Sequence, residues 1–290
     1  MTKRTVKAQA LILEFLLKEF QLGSATKGRK LIKHGSVHIN GRPVLRADET
    51  LVIGDTVQII KKSVREKSKA PFLILYDDAA ILVAVKPAGI LSEDREQGRI
   101  KSFYKLVNDF VRETSQNQER VFLVHRLDLE VSGIMIFAKS IEIKEILEAG
   151  WRENDKIYDA IVEGNLSPKE GRIESWLTEN SALKVYATTP GPNAKQAISH
   201  YRVLKTLGHF SLVEVRLETG RKNQIRVHLA DLGCPIVGDR KYGAKTDSFG
   251  RIALHARLLA FNHPLTNKRM SLESEIPEQM AKLLKTKLEK

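Results

Sequence analysis

The sequence predicts an α+β protein in two parts: a small, basic α/β unit, then a larger body of strands and helices. Three observations carry this expectation. A chain of 290 residues suffices for one large domain with a small one attached, and 42% hydrophobic with 29% charged residues is the composition of a packed chain. The net charge of +13 is unevenly spread: residues 1–70 hold 15 Lys and Arg against 6 Asp and Glu (net +9), whereas residues 71–290 hold 33 against 29 (net +4). Glycine, asparagine and proline signals punctuate short apolar runs from end to end, with no repeats and no low-complexity stretch.

Taken in order, "MTKRTVKAQALILEFLLKEF" reads as an amphipathic helix that buries one face. Glu14 and Lys18 interrupt its apolar run and no small-residue cleavage site follows, so it fits a signal peptide poorly. After Gly23-Ser24 a second helix carries Lys27, Arg29, Lys30 and Lys33, four cations that could reach a phosphate backbone, and Gly35 stops it. Asn40-Gly41 is a hairpin turn, and Gly54-Asp55 turns into a strand at 56–60. These elements define a unit over residues 1–62. A charged stretch closed by Pro71 makes 63–71 a linker, and 72–290 is the body.

In the body a buried strand at 80–85 breaks at Pro87-Ala88-Gly89. Residues 121–124 read as a second strand and 134–137 as a third. Ser140 caps a helix that ends at Ala149, with Gly150 beyond it. "KIYDAIVEG" alternates as a strand with Tyr158, Ala160 and Val162 on one face, and Gly208-His209 turns a hairpin. Asn223 is the expected N-cap of a helix over 224–232, which Gly233 stops and whose apolar face is Ile225, Leu229 and Leu232. Arg221 and Arg226 lie before and within its first turn, where a helix N-terminus already favours an anion.

The chemistry concentrates in "VFLVHRLDLEVSG". Arg126 and Asp128 sit between two apolar runs, where an unpaired carboxylate is costly to desolvate. On pattern alone Asp128 could cap a turn, Tyr158 could be an ordinary strand aromatic, and Arg226 an exposed helix charge. His125, His228, His255 and His263 match no zinc spacing, so they are expected to be buried hydrogen-bonding side chains and no metal is expected. Cys234 is the only cysteine, which excludes disulfides within the chain and cysteine-rich zinc sites. No apolar stretch approaches the roughly 20 residues of a membrane span. The basic N-terminal unit favours a nucleic-acid partner over a membrane, and a cytoplasmic location is expected.

"VHRLDLEVSGIMIFAKS", "KIYDAIVEG", "TGRKNQIRVHLADLGCPIVGDRKYG" and "LHARLLAFNHP" together resemble, in order, the motifs of RluA-type RNA pseudouridine synthases. "ILVAVKPAGIL" resembles their opening strand and turn, so the likeness spans 72 to about 276. Residues 8–62 resemble the S4-like RNA-binding domain, named after a ribosomal small-subunit protein. The resemblance implies a curved, mostly antiparallel sheet with flanking helices and a central basic cleft. It makes Asp128 the catalytic aspartate, Tyr158 the tyrosine that packs on the uracil and is implicated in removing the carbon-5 proton, and Arg226 the arginine that ion-pairs with the aspartate. It also makes Arg126 the arginine that fills the gap left by a flipped base. Arg221, Gln224, Lys27, Arg29, Lys30 and Lys33 are expected to meet RNA.

The residues suit this chemistry. Detaching uracil from ribose, turning it and rejoining it through carbon needs a group that attacks and is released unchanged. An ionised carboxylate can do this when a guanidinium opposes the tendency of burial to protonate it and grips it bidentately. Isomerisation moves no electrons out of the substrate, so no cofactor is expected. The expected partner is structured RNA, most readily large-subunit ribosomal RNA, bound by a monomer. Three alternatives stand beside this reading: a transfer-RNA target, a non-catalytic ribosome-assembly factor, and a nucleoside hydrolase. The last would want a second carboxylate near Asp128, where Glu130, at an exposed turn position, is the one close acid. Two positions depart from the family pattern, Val131 where threonine is usual and Asn223 where histidine is usual. The S4-like unit departs too, with Lys27-Gly28-Arg29 where a Ser-Arg pair is common.

Overall fold

The structure, a computed structural model, describes residues 2–33, 35–44, 46–59, 70–93, 102–247 and 250–286. The expected linker at 63–71 lies outside the described residues except for Ala70 and Pro71.

The N-terminal unit runs β1 (Thr2–Thr5), β2 (Ala10–Leu11), α1 (Ile12–Glu19), α2 (Ala25–Lys33), β3 (Val37–Ile39), β4 (Arg42–Pro43), β5 (Thr50–Leu51) and β6 (Thr56–Ile59). An antiparallel sheet in the order β1-β6-β3-β4 closes over its own core of Ile12, Leu16, Ile32, Val37, Leu51 and Val57. The opening helix is shorter than expected. Thr2 to Thr5 pair with Ile59 to Thr56 as a strand, so Lys3 and Arg4 sit in the sheet and the helix begins at Ile12. The reason is a β-branched Thr2 and Thr5 with a ready partner in β6. Asn40 and Gly41 both have positive φ, +50° and +86°, as a two-residue hairpin with the right twist requires.

The body continues with β7 (Ile74–Asp77), β8 (Ile81–Lys86), α3 (Phe103–Thr114), β9 (Phe122–Leu123), β10 (Ser132–Ala138), α4 (Ile141–Ala149), β11 (Asp155–Glu163), β12 (Glu170–Glu179) and β13 (Val185–Thr188). It ends with β14 (Lys195–Leu207), β15 (Phe210–Leu217), α5 (Gln224–Asp231), β16 (Leu254–Asn262), β17 (Arg269–Glu273) and α6 (Glu278–Thr286). One large sheet takes the order β13-β12-β14-β15-β11-β16-β10-β8-β7, with β17 against β16 and β9 against β10. Its pairings are antiparallel except β10 with β16. Register shifts at Ile157/Tyr158 and Val203/Lys205 mark places where such strands bend.

β10 explains why its sequence is an unbroken apolar run. Met135 and Phe137 pack in a core that includes Phe103 and Val107 of α3, while Ile134, Ile136 and Ala138 pack with Ile143 and Leu147 of α4. Both faces are covered, so alternation disappears. Ser140 caps α4 as expected, its Oγ accepting from the Ile143 N–H at 3.2 Å. The strand expected at 121–124 shrinks to the two half-buried residues of β9, because it pairs only with the far end of β10.

The parallel contact joins just two residue pairs, Ser132 with His255 and Gly133 with Ala256. Gly133 has φ +134°, and a Cβ there would collide with the Ala256 backbone. Only glycine lets β10 start this close to β16. Tyr158 of β11 faces the same Ala256 from the other side, so Gly133, Ala256 and Tyr158 form one row across three strands. At about 4.8 Å per strand, the row brings Tyr158 within about 10 Å of the residues that precede β10.

Candidate active site

Asp128 lies in the segment between β9 and β10, which forms a turn closed by the Val131 N–H donating to the Asp128 carbonyl at 3.1 Å. The turn is tied down on both sides. Ser92 Oγ donates to the Leu127 carbonyl at 2.6 Å and accepts from the Leu127 N–H at 3.0 Å. Lys86, with none of its surface exposed, donates its ammonium to the carbonyls of Pro87, Ile90 and Leu129. Burial and the neighbouring Arg251 hold Lys86 down to about 8. Val131 is 3% exposed and packs in the core, which accounts for an apolar residue at that position.

Arg226 arrives from α5 at the opposite side. Its Nη1 donates to Asp128 Oδ2 at 3.3 Å, yet its guanidinium fork closes on a different partner: Nε and Nη2 reach Asp239 at 2.7 and 2.9 Å. The expected bidentate grip on Asp128 is therefore a single contact. The bidentate carboxylate is Asp239, 1% exposed and unsuspected in the sequence although it stands in the quoted "GDRKYG". Arg226 also lies 3.8 Å from Glu130 and stacks its guanidinium 5.0 Å from the Tyr242 ring centre. Three carboxylates beside a buried guanidinium push its pKa above the ordinary value against the opposing effect of burial.

Tyr158 is half-buried, and burial followed by the Asp128 charge raises its phenol, so it stays neutral. Asn223 does not cap α5. It sits at the N-cap position in the left-handed region, φ +53° and ψ +17°, without a side-chain capping bond; its Nδ2 instead donates to Asp128 Oδ2 at 3.1 Å. Gln224 is not at an RNA surface: it is 2% exposed, accepts from Thr219 and the Arg221 N–H, and donates to the Ile198 carbonyl and Ser199 Oγ. All its amide capacity is taken up clipping the start of α5 to β14, and this clip aims Asn223 and Arg226 at Asp128. The helix ends at Asp231, and Leu232, expected on its apolar face, is 43% exposed.

Arg126 points outward and meets Glu93 at 3.2 Å with both side chains more than half exposed. Arg221 donates to the Gln196 carbonyl at 2.9 Å. Lys27, Arg29, Lys30 and Lys33 are all exposed on α2 of the N-terminal unit. Two cavities, about 260 and 630 Å³, lie between the N-terminal unit and the body, and Asp128 lines neither. Asp128 itself is 29% exposed at its side chain.

The four histidines are occupied separately. His125 accepts from the Ile136 N–H at 3.1 Å and stacks on Trp151; His228 bridges Ser175 and Ser199; His255 bonds Ser132; His263 bonds Asp78. Among the described residues no group of three potential ligands gathers around a common point. No helix among them is long and apolar enough to cross a membrane.

A solvent-reachable carboxylate, pinned by a guanidinium that is itself locked from behind, with a neutral phenol that senses its charge, is an arrangement that can attack and release a polar substrate, the chemistry of one class of enzyme. The comparisons give that class its family. Residues 80–231 match the family model described as RNA pseudouridylate synthase. The chain is 33% identical to the uncharacterized RNA pseudouridine synthase YlyB of Bacillus subtilis, over 90% of this chain and 88% of the relative. It is 34% identical to ribosomal large subunit pseudouridine synthase D of Pseudomonas aeruginosa, over 73% of this chain and 70% of the relative. The solved structure of human RNA pseudouridylate synthase domain containing 4 superposes with a TM-score of 0.64 at 25% identity, covering 75% of this chain and 93% of that one. The chain belongs to the RNA pseudouridylate synthase family. It is an RNA-modifying enzyme that isomerises uridine to pseudouridine.

Proposed function

We propose that this enzyme acts on large-subunit ribosomal RNA with Asp128 as its nucleophile. The observation that carries the reading is the grouping of Asp128, Arg226 and Tyr158: an accessible carboxylate, a buried cation on one of its oxygens and a neutral phenol that senses its charge from β11. The ribosomal assignment is supported by relatives named ribosomal large subunit pseudouridine synthase D, in Yersinia pestis as well as Pseudomonas aeruginosa.

In the reaction the bond from ribose C1′ to uracil N1 breaks, the base turns, and a bond from C1′ to C5 forms. C5 gives up its proton and N1 gains one, so atoms and electrons balance within the substrate and no cofactor is called for. Asp128 attacks the sugar or the ring and leaves unchanged when the new bond closes. Arg226 restrains the carboxylate, and Tyr158 packs against the uracil. Taking the target base out of its stack costs a few kcal/mol. Arg126 is free to enter the gap, since an exposed pair such as Arg126–Glu93 is worth at most about 1 kcal/mol. The N-terminal unit acts as an S4-like anchor, with Lys27, Arg29, Lys30 and Lys33 of α2 on the phosphates and Arg221 at the RNA beside the site. The enzyme works as a cytoplasmic monomer.

The test is pseudouridine mapping by carbodiimide-dependent primer stops on ribosomal and transfer RNA. Cells carrying the wild-type protein are compared with cells carrying Asp128→Asn. A large-subunit stop that vanishes with the substitution is the expected result. A stop lost from transfer RNA instead would overturn the substrate, and stops that all persist would overturn Asp128.

A further inference from the structure

We propose that Asn223 is a positioning residue for the nucleophile: with Arg226 it pins Asp128 Oδ2, which leaves Oδ1 as the oxygen that bonds to the substrate. This rests on the reading of Asp128 as the nucleophile. Two donors from the start of α5 converge on one oxygen, Asn223 Nδ2 at 3.1 Å and Arg226 Nη1 at 3.3 Å. No hydrogen bond from a described residue reaches Oδ1. The carboxylate torsion of an aspartate is broad and roughly two-fold, so a single donor would leave the two oxygens free to exchange. Two donors from different directions remove that freedom. Neither donor can follow the carboxylate if it turns. Arg226 is held from behind by the Asp239 fork, and Asn223 by its left-handed backbone in a loop clipped by Gln224.

The residue type fits the task. Glycine, asparagine, aspartate and histidine are the residues that adopt the left-handed region most readily, and a histidine there would carry a charge that changes with pH. Glycine offers no donor, and an aspartate would set a second negative charge against Asp128. Asparagine alone combines the backbone with a donor whose charge does not change with pH. A capping role would need the side chain to accept from the N–H groups of the helix's first turn, and it makes no such bond.

The charged groups facing this pair set the pH logic of the test. They are Arg226 with Asp239 behind it, Glu130 at 3.8 Å from Arg226, the Lys86 and Tyr158 side chains, which sense the Asp128 charge, and Arg251, which acts on Lys86. None of these is altered by a substitution at Asn223.

The experiment measures tritium released from carbon 5 of uracil in transcribed large-subunit and transfer RNA, with full-length wild type, Asp128→Asn, Asn223→Gly and Asn223→Asp. Asn223→Gly keeps the left-handed backbone and removes only the amide. It is expected to lower kcat about ten- to a hundred-fold, the loss of one hydrogen bond to a charged group, with KM for RNA changed less than about two-fold. Asn223→Asp is expected to be nearly inactive at pH 8 and to regain rate as the pH falls and the pair shares a proton. A rate that rises as the pH falls is a profile that a merely structural residue would not produce. Wild-type kcat in Asn223→Gly, a loss confined to KM, or an unchanged pH profile in Asn223→Asp would overturn the proposal while leaving Asp128 in place. Should Asp128→Asn still release tritium, the nucleophile assignment falls and this proposal falls with it.

Discussion

At the scale of single residues, the candidate site is a chain of dependence that runs inward from Asp128. Asp128 depends on Arg226, and Arg226 on Asp239, which touches nothing that reacts. With Arg226 7% and Asp239 1% exposed at their side chains, this is a buried pair, and removing one member strands a charge. Asp239→Asn is expected to destabilise the protein by about 3–5 kcal/mol in urea unfolding. It should also lower kcat more than it raises KM for RNA, since Arg226 is then free to turn away from Asp128. Full activity with intact stability would show that the fork is dispensable. The pairing of Asp128 with Arg226 is readable in the sequence only through the resemblance of their motifs to a known family, because the charge pattern alone leaves Asp128 a possible turn cap and Arg226 an exposed helix charge. Asp239 and Asn223 are not readable. Their roles depend on which of several nearby acids the fork meets and on a contact across 95 positions of sequence, neither of which local spacing encodes.

At the scale of elements, the local signals held wherever a short stretch decides its own shape. The Asn40-Gly41 turn, the Ser140 cap and the Gly208-His209 hairpin each answer to a few neighbouring φ and ψ values. Elements defined by distant partners moved: the opening helix yielded its start to a strand on β6, and β9 shortened to what the end of β10 could pair. Buried histidines bind such elements together, and they make the assembly sensitive to acid. Burial lowers His125 to about 3 and His228 and His255 to about 4, so all three are neutral in the folded chain. The unfolded chain protonates them near 6.5, so their contribution is fully present above that pH and is lost as the pH falls from 6.5 towards 4. At pH 5 each of the three costs about 2 kcal/mol, because the cost is set by the unfolded value near 6.5 and all three folded values lie below 5. The melting temperature is therefore expected to be about 10 °C lower at pH 5 than at pH 7.5. The double variant His228→Gln with His255→Gln should flatten that dependence, and an equally steep fall would place the acid response elsewhere.

At the scale of the whole molecule, a basic unit of its own core precedes a body that holds every residue around Asp128. Deleting residues 1–62 is therefore expected to leave the body folded by circular dichroism. RNA affinity should fall and the slope of log affinity against log salt should become shallower, as fewer phosphates lose their counterions on binding. An unchanged slope would show that the unit does not touch the phosphate backbone. The body has one seam that the rest of the sheet lacks, the parallel contact of β10 with β16 beside Asp128. Its two strands are separated by more than a hundred residues of chain, and β16 lies between β10 and β11 in space although it comes last of the three. The chain is made from its N-terminus, and the basic unit emerges from the ribosome long before Leu254 does. Until Leu254–Asn262 has been made, Gly133 and Tyr158 have no strand between them, so the last central strand to be synthesised is also the one that completes the row across β10, β16 and β11.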